Sequence, residues 1–187
     1  ATGIKGSLPE DVQRLLTGRM EFIAGHPMAG RQGSGLGMSQ AEIFDGANYI
    51  VVPAAFNSSG AIEWLSRFAG AIGCGQVVQV DAVEHDRIIA YTSNLPHALA
   101  VALINSASYN ENTKYFIAGS FRDGTRVADI NPYLWSDLFL ANRENVLQEV
   151  AAFSQQLERW RKALTAADAQ ALQEMMREAA VKRKDLY

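Results

Sequence analysis

Two kinds of residue could carry chemistry in this sequence: three histidines and a closely spaced pair of arginines. His26 ends the apolar run "EFIAG" and opens a glycine-rich loop over residues 26–40. Such a position at the end of a strand is where parallel sheets display ligand-binding groups. An imidazole with a pKa near ~6.5 can accept a proton at neutral pH. His26 is therefore a candidate general base.

The arginine pair lies in "FRDGTR", where Arg122 and Arg126 are four residues apart. In a helical turn this spacing points both guanidinium groups the same way, and two such forks fit carboxylates in a bidentate fashion. The alternative is a solvated face in which the two arginines pair with Asp123 and Asp129. The spacing alone leaves both interpretations open.

Residues 85–100, "HDRIIAYTSNLPHALA", form an apolar helical pattern that Pro96 interrupts. Ser93 and His97 are four apart and share a helix face, and a proline removes a backbone donor and bends the axis. One interpretation is a pocket wall, with Ser93 and His97 facing a polar ligand. The other is a second helix that begins at Pro96, with His97 as a satisfied polar group in its first turn.

Three further residues receive mainly structural interpretations. His85 is followed by Asp86 and comes soon after a predicted strand, so we expect it to help order a helix start. Trp135, after "NPYL", is most simply a core aromatic, with a pocket wall as the alternative. Cys74, the only cysteine, is expected to be a small buried hydrophobe.

The apolar patterns predict an α/β region followed by an all-helical one. A strand, a helix and a strand in succession predict a parallel sheet with a crossover helix. After residue 82 only the helical period remains, which places a domain boundary there, between residues 1–82 and 83–187. The predicted strands cover residues 21–25, 48–53 and 76–80, and the predicted helices of the first part cover residues 8–16 and 58–72.

A heptad seam marks a long helix over residues 142–164, and a last helix is predicted over residues 166–184. This seam could close on a neighbouring helix of the same chain or on a second subunit. Its apolar members recur at spacings of 4, 3, 4, 3 and 4: Val146, Val150, Phe153, Leu157, Trp160 and Leu164.

Composition limits the class of protein. Hydrophobic residues make up 48% and charged residues 20% of the 187 residues, with a net charge of −3, which is typical of a globular protein and does not suggest nucleic acid. One cysteine and the absence of metal-ligand spacing indicate no disulfide framework, no metal and a cytoplasmic location. No membrane span or signal peptide is predicted. Because Ala1 is not a methionine, we expect upstream sequence to be missing.

Three segments together resemble the prephenate dehydrogenase family: "FIAGHPMAGRQGSG", "HDRIIAYTSNLPHALA" and "FRDGTRVADINPYLWSDLFLANRENV". The resemblance implies an N-terminal dinucleotide-binding domain joined to a helical domain that forms the dimer and most of the prephenate site. Residues 1–82 would then be the C-terminal part of a Rossmann-like domain, and residues 83–187 a helical substrate-binding and dimerisation domain.

The resemblance also implies an activity: oxidative decarboxylation of prephenate to 4-hydroxyphenylpyruvate in tyrosine biosynthesis, with NAD or NADP as hydride acceptor. By position, His26 matches the catalytic histidine that takes the proton of the ring hydroxyl. Arg126 matches an arginine that holds a substrate carboxylate, and Arg122 matches a second basic residue. The other residues that the resemblance places at the substrate are Ser93, His97, Trp135 and Gln32.

Departures from the family pattern leave alternatives open. Asn94 replaces the first histidine of "SHLPH", Arg31 and Gln32 replace a threonine and a glutamate, and Gly3 stands where many members have a serine. An extra cation favours prephenate over the less anionic arogenate. The alternatives are an arogenate dehydrogenase, another two-domain dehydrogenase, or a non-catalytic module that dimerises and senses tyrosine or prephenate.

The sequence given also lacks a feature that catalysis needs. It holds no G-x-G-x-x-G fingerprint, and "GSGLG" over residues 33–37 has neither the spacing nor a preceding strand. We therefore expect this chain to be inactive by itself.

Overall fold

A computed structural model describes residues 3–30, 37 and 39–186, and its described elements alternate between strands and helices up to residue 79. Beyond that point the described residues contain helices and no strand, as the sequence predicts. In chain order the elements are α1 (Leu8–Leu15), β1 (Ala24–Pro27), β2 (Tyr49–Val52), α2 (Ser59–Ala71), β3 (Val77–Gln79), α3 (Ala82–Ile89), α4 (Leu95–Ile104), α5 (Gly119–Thr125), α6 (Pro132–Ala141), α7 (Arg143–Thr165) and α8 (Ala169–Asp185).

The three strands form one sheet in the order β1-β2-β3. β2 and β3 are parallel and α2 connects them, which confirms the predicted crossover. β1 pairs with β2 in the antiparallel sense, so the prediction of a parallel sheet is wrong for this strand. The crossover rule needs a helix between two strands, and between β1 and β2 the described residues contain only a short 3₁₀ turn, Ala41–Phe44.

The antiparallel pairing changes the setting of His26. β1 begins at Ala24 and includes His26, which lies opposite Ile50 of β2. The histidine therefore belongs to the strand rather than to the loop after it. Because β1 runs against β2, its carboxyl end lies beside the amino end of β2. The prediction that His26 lies at the carboxyl ends of parallel strands is wrong.

The main core lies between the sheet and α2. Ser58 caps α2 by accepting a hydrogen bond from the backbone N–H of Ala61, which fixes where the helix begins. Burial of apolar side chains at this contact stabilises the sheet. The buried set is Tyr49, Val51, Leu65, Ala69 and Cys74. The burial of Cys74 confirms the prediction that it is a small buried hydrophobe.

The apolar segment after β3 is helical along its whole length. A π-helical turn, Ala90–Asn94, joins α3 to α4, and the N–H of Leu95 donates to the carbonyl of Ala90. Pro96 lies in the first turn of α4, the part of a helix that tolerates proline. The added residue of the π turn accommodates Pro96, so the helical backbone continues from α3 into α4 without the break that the alternative interpretation expected.

The chain divides into two compact units, residues 1–146 and residues 147–187. In the second unit α8 follows α7 after a turn at Ala167, whose φ is 50°, and Ala163 and Met175 are buried. No described helix is both long enough and apolar enough to cross a bilayer. Four predicted seam residues of α7 are 38–61% exposed: Val150, Leu157, Trp160 and Leu164.

Candidate active site

A chain of three side chains connects α3 to the sheet. Asp86 Oδ1 lies 2.7 Å from His85 Nδ1, and His85 Nε2 lies 2.9 Å from His26 Nδ1. β1 supplies His26, and the first turns of α3 supply His85 and Asp86. Both α3 side chains are buried, whereas His26 is half-buried. The candidate general base is therefore held from behind by a buried histidine and a carboxylate.

The sequence interpretation of His85 as a residue that orders the helix start is wrong. Asp81 caps α3 instead, by accepting a hydrogen bond from the N–H of Glu84. His85 and Ile89 are four residues apart, and both are buried. This spacing places them on the same helix face, so it is the signal that could have shown that His85 faces inward.

Asp86 is anchored by the backbone at the start of the chain. Its two oxygens accept hydrogen bonds from the N–H of Lys5, at 2.9 and 3.2 Å, and from the N–H of Gly6, at 2.7 Å. Burial by itself would raise the pKa of Asp86. The hydrogen bonds from His85 and from these two amides outweigh burial and hold the pKa below its ordinary value, so the group is a carboxylate.

Lys5 controls the charge near His26. Its side chain is buried, and Nζ donates to the carbonyl of Gly25 at 3.3 Å. Burial lowers the pKa of Lys5 to about 8, although Asp86 opposes the shift. Burial, then the positive charge of Lys5, lowers the pKa of His26 to about 4, below the ~6.5 expected from the sequence. At neutral pH His26 is uncharged and able to accept a proton.

A second cluster lies in and beside α4. The backbone carbonyl of Ser93 accepts a hydrogen bond from His97 Nδ1 at 2.8 Å, which fixes the orientation of that imidazole. Its ring stacks on Trp135 with centres 3.7 Å apart and planes 27° apart, and Trp135 in turn contacts Phe139 at 5.6 Å. The structure thus brings together Ser93, His97 and Trp135, each half-buried.

The two arginines lie on consecutive turns and are exposed. Arg122 belongs to α5, and Arg126 begins the 3₁₀ turn Arg126–Ala128. Their exposure agrees with the alternative of a solvated face. Within the described part of the chain neither guanidinium group forms a hydrogen bond or an ion pair, so the pairing with Asp123 and Asp129 that this alternative included is wrong. The turn that carries Arg126 packs against α4, which carries His97. Gln32 lies outside the described residues, as does Arg31.

A buried amide network, which the sequence did not indicate, supports the back of the site. Asn142 Nδ2 donates to the backbone carbonyl of Asp86 at 2.8 Å and to Asn94 Oδ1 at 3.1 Å. Asn145 Nδ2 in turn donates to Asn142 Oδ1 at 2.8 Å. Asn94, which departs from the family pattern, therefore bonds to the protein itself. Because Asn142 is 56 residues from Asp86, sequence spacing could not reveal the contact.

Two family models together match nearly the whole chain. The model described as "Prephenate dehydrogenase, nucleotide-binding domain" matches residues 1–78. The model described as "Prephenate dehydrogenase, dimerization domain" matches residues 81–178. The resemblance that the three sequence segments carry is confirmed by these matches, and so is the fold class, in which a nucleotide-binding region is followed by a helical domain.

Individual relatives agree. The chain is 30% identical over 172 residues to a prephenate dehydrogenase of Bacillus subtilis, covering 90% of this chain and 46% of the relative. It is 34% identical to a cyclohexadienyl dehydrogenase of Zymomonas mobilis, covering 84% of this chain and 55% of the relative. The chain thus spans about half the length of these two curated relatives.

A solved structure shows the same fold. The prephenate dehydrogenase of A. aeolicus, in complex with hydroxyphenyl propionate and NAD+, superimposes with a TM-score of 0.86 at 29% identity. The match covers 99% of this chain and 65% of that structure.

Proposed function

Because this chain belongs to the prephenate dehydrogenase family, we propose that it forms the substrate site of an enzyme that converts prephenate to 4-hydroxyphenylpyruvate by oxidative decarboxylation. The single observation that carries the proposal is the hydrogen bond between His26 and His85. It occupies Nδ1 of an uncharged imidazole and leaves Nε2 for a substrate group.

His26 would act on the ring hydroxyl of the substrate. As hydride leaves the carbon that bears this hydroxyl, the oxygen becomes positively polarised and its proton more acidic. Nε2 of His26 accepts that hydrogen bond and takes up the proton while the charge develops. Loss of carbon dioxide then forms the aromatic ring. The proton returns to the oxygen because the product keeps its hydroxyl, so a base with a low pKa is sufficient.

Arg126 and Arg122 would bind the carboxylates. Prephenate is a dianion, and two exposed guanidinium groups without a partner in the described chain are available for bidentate pairing. Ser93, His97 and Trp135 would line the pocket beside them. Gln32 is proposed as a further substrate-binding residue from the sequence resemblance alone. Prephenate is favoured over arogenate because arogenate carries an additional ammonium group, which an arginine pair repels.

The hydride acceptor would be NAD, the cofactor named for the A. aeolicus structure, and NADP is the alternative. The described residues do not provide a diphosphate site. β2 is followed by Pro53 and β3 by Val80 and Asp81, so neither described strand leads through a glycine-rich turn into its helix. We assign no residue of this chain to the diphosphate.

A homodimer would form through α7. The boundary between the nucleotide-binding region and the helical domain would lie near residue 82. The matched family model carries the word dimerization, and the exposed seam of α7 supplies an apolar surface that a second copy could bury. A cytoplasmic location completes the proposal, in keeping with the unpaired, buried thiol of Cys74.

Calorimetric titration of the chain with prephenate, and separately with tyrosine, tests the proposal. We expect prephenate to bind and the Arg126→Ala variant to lose most of that affinity, while Arg143→Ala, a control at an exposed arginine already paired with Glu144, retains it. Binding of tyrosine without binding of prephenate would contradict the proposal and favour a sensing module.

A further inference from the structure

We infer that His85 and Asp86 are positioning residues that fix the tautomer of His26, holding its proton on Nδ1 and its lone pair on Nε2. The inference rests on the proposed function in one respect only, that His26 is the base. The arrangement itself follows from four hydrogen bonds: Lys5 and Gly6 donate to Asp86, His85 donates to Asp86, and His26 donates to His85.

The direction of each hydrogen bond follows from the one before it. Backbone amides only donate, so the oxygens of Asp86 that face Lys5 and Gly6 are acceptors. Asp86 is ionised and has no proton to offer, so His85 Nδ1 must carry the hydrogen of their 2.7 Å contact. We assign to His85 the uncharged tautomer with its hydrogen on Nδ1, so its Nε2 carries only a lone pair and accepts. The hydrogen of the 2.9 Å contact therefore belongs to His26 Nδ1.

His85 and Asp86, the two groups behind His26, are buried and hydrogen-bonded, which makes the tautomer a property of the fold. His85 is 2% exposed and Asp86 is 6% exposed, so water does not compete for their hydrogen bonds. Asn142 donates to the backbone carbonyl of Asp86 and holds α3 at this residue. The orientation of His26 is thus set by buried groups behind it, as a buried carboxylate orients a catalytic imidazole in serine proteases.

One substitution should reverse the direction of the hydrogen bonds that link Asp86, His85 and His26. In Asp86→Asn the side chain keeps one carbonyl oxygen and gains an amide. The N–H of Lys5 already lies 3.2 Å from Oδ2, so an oxygen at that place accepts from both Lys5 and Gly6. The NH₂ then faces His85 Nδ1 and donates to it. His85 must carry its proton on Nε2 and donate to His26, which leaves the proton of His26 on Nε2.

Nitrogen-15 NMR of the protein labelled at its histidines measures the tautomer of His26 directly, because protonated and unprotonated ring nitrogens have well-separated chemical shifts. The chain has three histidines, and the spectrum of His26→Asn identifies the resonances of His26. At pH 7 we expect His26 to have its proton on Nδ1 in the wild type and on Nε2 in Asp86→Asn. His97 is an internal reference: its Nδ1 donates to a backbone carbonyl in both proteins.

Asp81→Asn is the matched control. It makes the same chemical change in the same helix, at an exposed cap where asparagine also works. It should leave His26 unchanged and leave kcat/KM of the intact enzyme within about twofold. Asp86→Asn should lower kcat/KM by about 10²- to 10⁴-fold, the range that a general base contributes.

A wild-type spectrum with the proton of His26 on Nε2 would overturn the inference, and so would a folded Asp86→Asn variant whose His26 is unchanged. If Asp86→Asn does not fold, the wild-type spectrum still decides. A reversed tautomer in Asp86→Asn, combined with full activity of His26→Asn, would support the positioning role of His85 and Asp86 and contradict the proposed function. The two failures are therefore distinguishable.

Discussion

The imidazole of His97 lies flat against the indole of Trp135, with ring centres 3.7 Å apart, while its Nδ1 donates to the carbonyl of Ser93. Two restraints from different elements thus fix one side chain of α4: the π turn Ala90–Asn94 supplies the hydrogen-bond acceptor and α6 supplies the stacking surface. Nε2 of His97 is the atom that remains for a ligand. This arrangement favours the pocket-wall interpretation of the "SNLPH" segment.

Replacement of Trp135 by leucine should weaken substrate binding. Stacked aromatic pairs contribute about 0.5–1.5 kcal/mol beyond burial, so we expect KM for prephenate to rise about 2- to 10-fold with little change in kcat. Steady-state kinetics of the intact enzyme measures this. Trp64→Leu is the control, because Trp64 stacks on Phe68 of α2 in the other half of the chain. Equal effects of the two substitutions would contradict the role of Trp135.

Replacement of Arg126 by alanine should raise KM and leave kcat nearly unchanged. A hydrogen bond between charged groups contributes about 1.5–3 kcal/mol, which corresponds to a rise in KM of about 10- to 150-fold. The comparison of prephenate with a substrate analogue that lacks one carboxylate locates the contact. If Arg126→Ala changes KM equally for both compounds, the arginine binds some other part of the substrate.

Replacement of Lys5 by methionine should raise the pKa of His26 above its value of about 4, because the substitution removes a nearby positive charge. Only the uncharged imidazole accepts a proton, so kcat/KM of the wild-type enzyme should fall as the pH drops through about 4. In Lys5→Met the fall should begin at higher pH. NMR titration of His26 and the pH dependence of kcat/KM measure the shift.

Lys114→Met is the control for that experiment, because Lys114 is exposed and near Tyr115 rather than the histidines. A pKa of His26 that is the same in wild type and Lys5→Met would show that Lys5 does not act on it.

Replacement of Asn142 by alanine should lower the free energy of unfolding by about 1–3 kcal/mol, because it leaves the carbonyl of Asp86 and Oδ1 of Asn94 without their donor. Urea denaturation measures this. Asn112→Ala removes an exposed amide whose side chain caps nothing, and it should cost little. Equal losses in the two variants would exclude a special role for the buried amide network.

Local periodicity was enough to predict most elements, but it could not predict the contacts that form the site. α2 and the heptad seam of α7 follow from the spacing of apolar residues within a few turns. The contact between His26 and His85 joins residues 59 apart and depends on the antiparallel pairing of β1, which no local pattern encodes. The contact between Lys5 and Asp86 of α3 likewise joins residues 81 positions apart.

Replacement of His26 by asparagine in the intact enzyme tests the central claim most directly. Asparagine keeps a hydrogen-bonding group but cannot take up a proton at neutral pH. We predict that kcat falls by about 10²- to 10⁴-fold while the dissociation constant of prephenate, measured by calorimetry, changes by less than about threefold. A variant that turns over prephenate at the wild-type rate would contradict the assignment of His26 as the base.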